Sequence, residues 1–325
     1  MPGISSTEAP ARGGRSLASH KPLAAAVAVA AGVLLAVQAR VNGQLGEKLD
    51  DSIAAALLSF AIGTVIVAVL ALSRRAGRVQ FAAIPALVRS GRLRWWQCLG
   101  GLSGGIFVAV QAHSAPVLGV ALYSVAVVAG QTTSSLAVDR LGLGPAGRAR
   151  LTGARVVAAA VTVLAVLVAV SDRLDGRSPV GAMVLTAVAG VLLAVQQAVN
   201  GRVSQATGEP LVAGLVNFLL GTLLLVVAYA AFTGLTSDVW SRLPGEWWLY
   251  LGGAFGVAVI VSGAQTVRAL GVLLLGLCTV LGQLAGGVAL DVLAPVHDEG
   301  VSVWTIVGCL LTALAIAVAA RGSRR

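Results

Sequence analysis

One stretch of this chain occurs twice. Val33 to Gly43 (VLLAVQARVNG) returns as Val191 to Gly201 (VLLAVQQAVNG) with nine of eleven positions identical. Three of those identities, Gln38/Gln196, Asn42/Asn200 and Gly43/Gly201, are ones an apolar chain does not supply cheaply. At the same offset of 158, Phe60 aligns with Phe218, Gly63 with Gly221 and Thr64 with Thr222. The match resumes at offset 152, where Trp95-Trp96 meet Trp247-Trp248, Gly100, Gly101 and Gly104 meet Gly252, Gly253 and Gly256, Gly130-Gln131 meet Gly282-Gln283, and Asp139 meets Asp291. The chain is a duplication with six residues lost from one loop of the second copy. A period of about 155 is too long for a solenoid repeat of about 20–50 residues; it is the length of half a transporter.

The copies are built for a membrane. Hydrophobic residues make up 57% of the chain and charged ones 11%, with a mean hydropathy of +0.91, against about 45–50% and about 25% in soluble domains. The apolar runs are continuous for about 20 residues, the span of a helix across about 30 Å of hydrocarbon; barrel strands would alternate over about 10. Spans are expected at 22–42, 53–72, 95–113, 117–138 and 152–171, then 180–200, 211–232, 247–267, 270–290 and 301–320, five per copy. Residues 1–21 read as a disordered cytoplasmic tail, 22–171 as the first repeat, 172–179 as a linker, 180–320 as the second repeat and 321–325 as a second cytoplasmic tail. The stretch from Pro22 to Val41 is not a signal peptide, because its copy lies mid-chain. Two links, Ser114 to Pro116 and Arg268 to Ala269, are so short that each must close an antiparallel helical hairpin.

Charge sets the orientation. With the N-terminus in the cytoplasm, 18 of the 23 lysines and arginines fall on that side, and only Arg40, Lys48, Arg173, Arg177 and Arg242 on the other. The positive-inside rule therefore places both termini in the cytoplasm. An odd number of spans per copy forces the second copy to insert upside down. The expected fold is an all-α polytopic membrane protein of ten transmembrane helices in two inverted-topology five-helix repeats, with its site near the midplane where the copies meet. The net charge of +10 is explained by this bias; the basic residues are scattered over loops, and nucleic acid is excluded as a partner.

The ordered string Gln38-x-x-x-Asn42-Gly43, Phe60-x-x-Gly63-Thr64, Trp95-Trp96 with Gly100-Gly101, Gly130-Gln131 and Asp139-Arg140-Leu141-Gly142 resembles the YdcZ-like branch of the drug/metabolite transporter superfamily, over nearly the whole chain beyond the N-terminal tail. The Gly-Gln pair followed by Asp-x-x-Gly is the most specific part; the second copy keeps Gly282-Gln283 and Asp291 but carries Leu293-Ala294 where the first has Leu141-Gly142. The resemblance implies a multi-pass bacterial inner-membrane secondary carrier that exports small metabolites or toxic compounds.

Polar residues inside the spans are the candidate site. Gln38 and Asn42, four apart, share one face of the first helix, as Gln196 and Asn200 do on the sixth; with Gln131 and Gln283 they are candidates for lining a substrate path. The alternatives stand beside this. Asn-Gly at 42–43 and 200–201 is also a helix C-terminal stop, and the glutamines can equally be interhelical glue. His113 and Gln265 are gate candidates, and Asp139 and Asp291, at equivalent helix ends, are candidates for coupling or simply interfacial charges.

What is missing narrows the function. No Asp, Glu or Lys stands near the middle of a span, so a central proton-binding carboxylate is disfavoured. The three cysteines, Cys98, Cys278 and Cys309, show no CxxC spacing, and no HExxH motif or Cys/His ligand set occurs, so neither a metal nor a cofactor is expected. A phosphate-binding GxxxxGK[ST] loop is absent. An intramembrane enzyme would need a nucleophile with a base, a metal set or paired carboxylates at depth. The expectation is a non-enzymatic carrier of neutral, zwitterionic or amphipathic small molecules in the lipid bilayer; a lipid or lipid-precursor flippase and a non-transporting membrane scaffold are the alternatives.

Overall fold

The computed structural model describes residues 21–145, 147–148, 152–169, 171, 177–234, 238–295 and 301–322. The tail at 1–20, most of the linker at 172–176 and residues 323–325 lie outside the described residues. Within them the chain is helical: α1 (Lys21–Leu49), α2 (Ser52–Leu72), α3 (Arg75–Arg89), α4 (Gly100–Leu118), α5 (Val120–Leu141), α6 (Gly153–Ala169), α7 (Arg177–Thr207), α8 (Pro210–Phe232), α9 (Gly252–Leu293) and α10 (Val303–Gly322). Short 3-10 turns at Trp95–Leu99 and Trp247–Leu251 lead into α4 and α9. Eight helical segments are long and apolar enough to cross a membrane, and two more, Gly153–Ala169 and Val303–Ala315, are apolar but shorter.

Helix α9 is continuous over 42 residues, about 63 Å if straight at about 1.5 Å per residue, yet its two ends meet the same end of α1. A Cβ on Gly252 would strike Asn42 Oδ1, and Asp291 lies 3.8 Å from the Arg40 guanidinium. The helix therefore doubles back between its two apolar arms, Trp247–Val267 and Leu274–Leu293, as the short Arg268-Ala269 link required. Its counterpart in the first copy is the α4–α5 hairpin. There the break falls at Gly119 rather than at the expected Ser114 to Pro116, because the turn needs φ of +76°, which glycine alone adopts without cost; Pro116 stays within α4.

Each copy's hairpin packs on the first two helices of the other copy, and the close approaches come in reciprocal pairs. A Cβ on Gly101 would strike the backbone of α8 at Asn217, and one on Gly253 the backbone of α2 at Ser59. Gly130 faces Ala187 O as Gly282 faces Val29 O, and Gly190 faces Val127 O as Gly32 faces Thr279 O. Between α2 and α8 residues meet their own copies: the Phe60 and Phe218 rings lie 5.0 Å apart, each ring fills the notch left by Gly221 or Gly63, and Thr64 Oγ1 is 2.8 Å from Thr222 Oγ1. Without hydrophobic drive between helices in lipid, such backbone approach through small residues is what holds a bundle together.

Three departures from the sequence expectation have local causes. α1 and α7 run seven residues past Asn42 and Asn200, so neither Asn-Gly pair caps a helix. The next helix is instead entered from Asp51, whose Oδ1 accepts from Ile53 N at 2.8 Å and Ala54 N at 2.9 Å, an ordinary N-cap. α7 also begins inside the expected 172–179 linker, at Arg177. Between the second and third spans, where a loop was expected, stands α3, with Phe81, Ile84, Leu87 and Val88 packed inward at helical spacing.

Gly282→Ala should lower stability by about 1–3 kcal/mol, since its Cβ would run into the backbone of Val29 and Gly32 rather than into a side chain that can move. Gly181→Ala, in open space on α7, should be neutral or raise it by up to about 1 kcal/mol. Melting in detergent compares the two; equal effects would remove the packing role of the reciprocal glycines.

Candidate functional site

The repeated amides gather into two clusters, one at each end of the bundle. At the first, Asn42 on α1 is fully buried (0% exposed) and donates from Nδ2 to Gln111 Oε1 of α4 at 2.7 Å. Gln111 in turn lies beside Tyr123 of α5. Asn42 Oδ1 is buried with no hydrogen-bond partner among the described residues. Gln38, one turn along α1 and also buried, faces Gly256 of the other copy.

At the second cluster, Gln196 Nε2 and Asn200 Nδ2 on α7 both donate to Asn217 Oδ1 of α8, each at 2.9 Å. Gln196 Oε1 has no partner among the described residues. These amides face Gly100 and Gly104 of α4, the repeat equivalents of Gly252 and Gly256. Both sets thus seat a polar side chain in a glycine notch on the other copy's hairpin. Gln196 and Asn200 are only half-buried, unlike Gln38 and Asn42, and their neighbour Gln197 is exposed. Its Oε1 accepts from Gln131 Nε2 at 2.9 Å.

The two ends differ in a further respect. α1 and α4 are packed together at the first end, where a Cβ on Gly43 would lie 3.0 Å from the Pro116 ring and one on Gly46 2.8 Å from Ala112 O. Their repeat equivalents, α7 and the first arm of α9, meet at most marginally among the described residues. Gly263, the counterpart of Gln111, faces open space among the described residues.

The acidic candidates separate in the same way. Asp291 is buried and accepts from Val120 N at 3.0 Å and Ala121 N at 2.8 Å, placing its charge on the N-terminus of α5, where the helix dipole favours it. Arg40 completes the knot, 3.8 Å from Asp291 and hydrogen-bonded to Ala294 O at the end of α9. Asp139 instead pairs with Arg155 of α6 in a half-exposed ion pair. Arg202 supplies the matching carbonyl contacts at that end, to Gly142 O at 2.9 Å and Leu143 O at 3.2 Å. Farther out, an exposed Lys48–Glu246 pair spans the copies. Lys48 holds the Glu246 carboxyl below the usual range, so the pair's contribution is full above that range and is lost as pH falls on through the lowered value.

Gln283 is buried at the α1–α9 seam, while His113 and Gln265 are exposed and join neither cluster. Gln111, Tyr123 and Asn217 were not foreseen. Asn217 was visible as an amide inside an apolar span beside the repeated Phe218, but its copy is Ser59, and Gln111 aligns with Gly263, so the repeat drew attention to neither. Among the described residues no group of His, Cys, Asp and Glu could hold a metal ion.

Buried helical spans, paired amides and notched helices define a polytopic membrane protein. The family model "Putative inner membrane exporter, YdcZ" matches it twice, over residues 23–168 and 181–318, and the chain belongs to that family. The inner membrane protein YdcZ of Escherichia coli (strain K12) is 32% identical over 140 residues, which are 41% of this chain and 87% of that one. A crystal structure 19% identical in sequence superimposes with a TM-score of 0.56 over 94% of this chain and 98% of its own; it shows the fold alone.

Asn42→Ala and Gln111→Ala should each cost about 1–3 kcal/mol, because each strands its partner's amide in a dry site, and the double variant should cost clearly less than the sum. A thermal-melting double-mutant cycle measures this. Additive losses would mean that the two amides do not act together.

Proposed function

We propose that the chain is a secondary carrier, an exporter of small compounds, working by alternating access between two inverted five-helix repeats. The carrying observation is the difference between its ends: the close packing of α1 on α4 is reduced, among the described residues, to at most marginal contact between their repeat equivalents, α7 and the first arm of α9. Two copies of one unit holding different conformations is what such a carrier needs in order to exchange states. Two matches of the family model, one per copy, and the reciprocal glycine contacts support the ten-span inverted arrangement. Given the charge bias, both termini and the open end are cytoplasmic.

In this reading the half-buried Gln196 and Asn200, held by the buried Asn217, meet the substrate from the open side with Gln131 and Gln197. Gln38, Asn42 and Gln111 meet it when the other end opens. Neutral amides donate and accept, so the substrate is an uncharged or zwitterionic compound bearing hydrogen-bonding groups. Asp291 with Arg40 acts as the latch of the closed end, and Asp139 as its released counterpart.

Ala39, 1% exposed, and Gln197, exposed, are repeat equivalents and test this. In a variant lacking Cys98, Cys278 and Cys309, Gln197→Cys should react with an impermeant maleimide from the cytoplasmic side and Ala39→Cys should be protected from both sides. A compound that is transported should raise labelling at position 39 and lower it at 197. Equal protection at both positions without substrate would contradict the proposal.

A further inference from the structure

Helix α3 and the turn after it belong to no part of the transport path, yet they carry more basic residues than any other stretch between two spans. From Arg74 to Arg94 there are six arginines and no acidic residue. Arg78 is used internally, donating to Leu72 O at 2.7 Å and Ser73 O at 3.1 Å at the end of α2. Arg74, Arg75, Arg89, Arg92 and Arg94 are exposed, and none of them pairs with a carboxylate among the described residues.

Their place fixes what they meet. The segment lies between the end of one span at Leu72 and the start of the next at Trp95, so it sits at the membrane surface. Trp95, 67% exposed, stands at the boundary itself, where indole rings anchor in the headgroup layer. The second copy has no such feature: its equivalent loop is shorter and carries Asp238, Arg242 and Glu246. The basic surface occurs in one copy only, so the repeat fold does not require it.

We propose that this surface binds anionic phospholipid headgroups. Five unpaired guanidiniums beside a membrane-anchoring tryptophan complement a layer of phosphodiesters, each basic group near such a surface adding to the attraction. The apolar side of α3 makes the binding consequential. Leu87 and Leu93 pack with Val203 of α7 and Ala213 of α8, so the helix straps the first copy to the last turns of α7, the arm that stands apart from α9 at the open end. Lipid held on α3 therefore steadies that arm.

The test is thermal unfolding of the full chain in nanodiscs of phosphatidylcholine alone or mixed with phosphatidylglycerol, at low and high salt. The mixed bilayer should raise the melting temperature of the wild type, and salt should reduce the gain. Arg74→Gln/Arg75→Gln/Arg89→Gln should lose most of it while melting normally in phosphatidylcholine; Lys at the same positions should restore it, and Arg242→Gln should keep it whole. Titration with soluble short-chain phosphatidylglycerol should show apparent affinity falling about fivefold per arginine removed. Should the triple variant melt early even in phosphatidylcholine, the single variants carry the titration. Equal gains from both bilayers, or a titration that the glutamine variants leave unchanged, would overturn the proposal. The result does not depend on transport, so failure of either proposal leaves the other standing.

Discussion

The interlock of α2 with α8 is the contact on which the rest of the molecule depends. Phe60 sits in the notch of Gly221 and Phe218 in that of Gly63, with Thr64 bonded to Thr222 beside them. Each residue meets its own copy, so the two halves share an axis at this point. The ring pair contributes about 0.5–1.5 kcal/mol beyond its buried area, and the larger effect is geometric: neither glycine can carry a side chain without expelling the ring opposite. With this centre fixed, each hairpin lies across the other copy's first two helices, and the glycines of α4, α5 and α9 set how closely they approach.

Lipid gives a buried amide no water to turn to, and the two clusters show the consequences. Asn42 reaches Gln111, while Gln196 and Asn200 share the single acceptor of Asn217. In each cluster one buried carbonyl oxygen has no partner among the described residues, which in a dry interior costs about 1–3 kcal/mol and leaves an acceptor available to a ligand. The ends differ in how firmly they are tied. Asp291 ties the end of its own helix α9 to the start of α5 and, through Arg40, to α1, whereas among the described residues Asp139 pairs with Arg155 of its own copy. A molecule whose halves share an ancestry has adopted different local solutions at its two ends.

Much of this was legible in the sequence because glycine, glutamine, asparagine and aspartate are scarce in apolar helices, so their recurrence at offsets 158 and 152 marks positions under structural demand. Gly101/Gly253 and Gly130/Gly282 all prove to be sites of backbone contact. What was not legible had physical causes. Asn-Gly ends helices in water because solvent takes up the freed carbonyls; at membrane depth those carbonyls would stay unsatisfied, so α1 continues and Asn42 turns to Gln111. α3 was obscured by its arginines, although Phe81, Ile84, Leu87 and Val88 already had helical spacing. Asn217 and Gln111 lie outside the repeat pattern, and only the packing of α8 and α4 reveals what they meet.

The central claim is that the two ends of the bundle exchange closed and open states. Glu47 on α1 and His113 on α4 flank the closed end, and their repeat equivalents Gln205 on α7 and Gln265 on α9 flank the open one; all four are exposed and accept spin labels without entering the core. Electron–electron dipolar distances across the two pairs, taken with and without a compound that raises the melting temperature, measure the exchange directly. Alternating access requires the Gln205–Gln265 distance to shorten in the same fraction of molecules in which the Glu47–His113 distance lengthens. Two distances that stay fixed, or that open together, would contradict it.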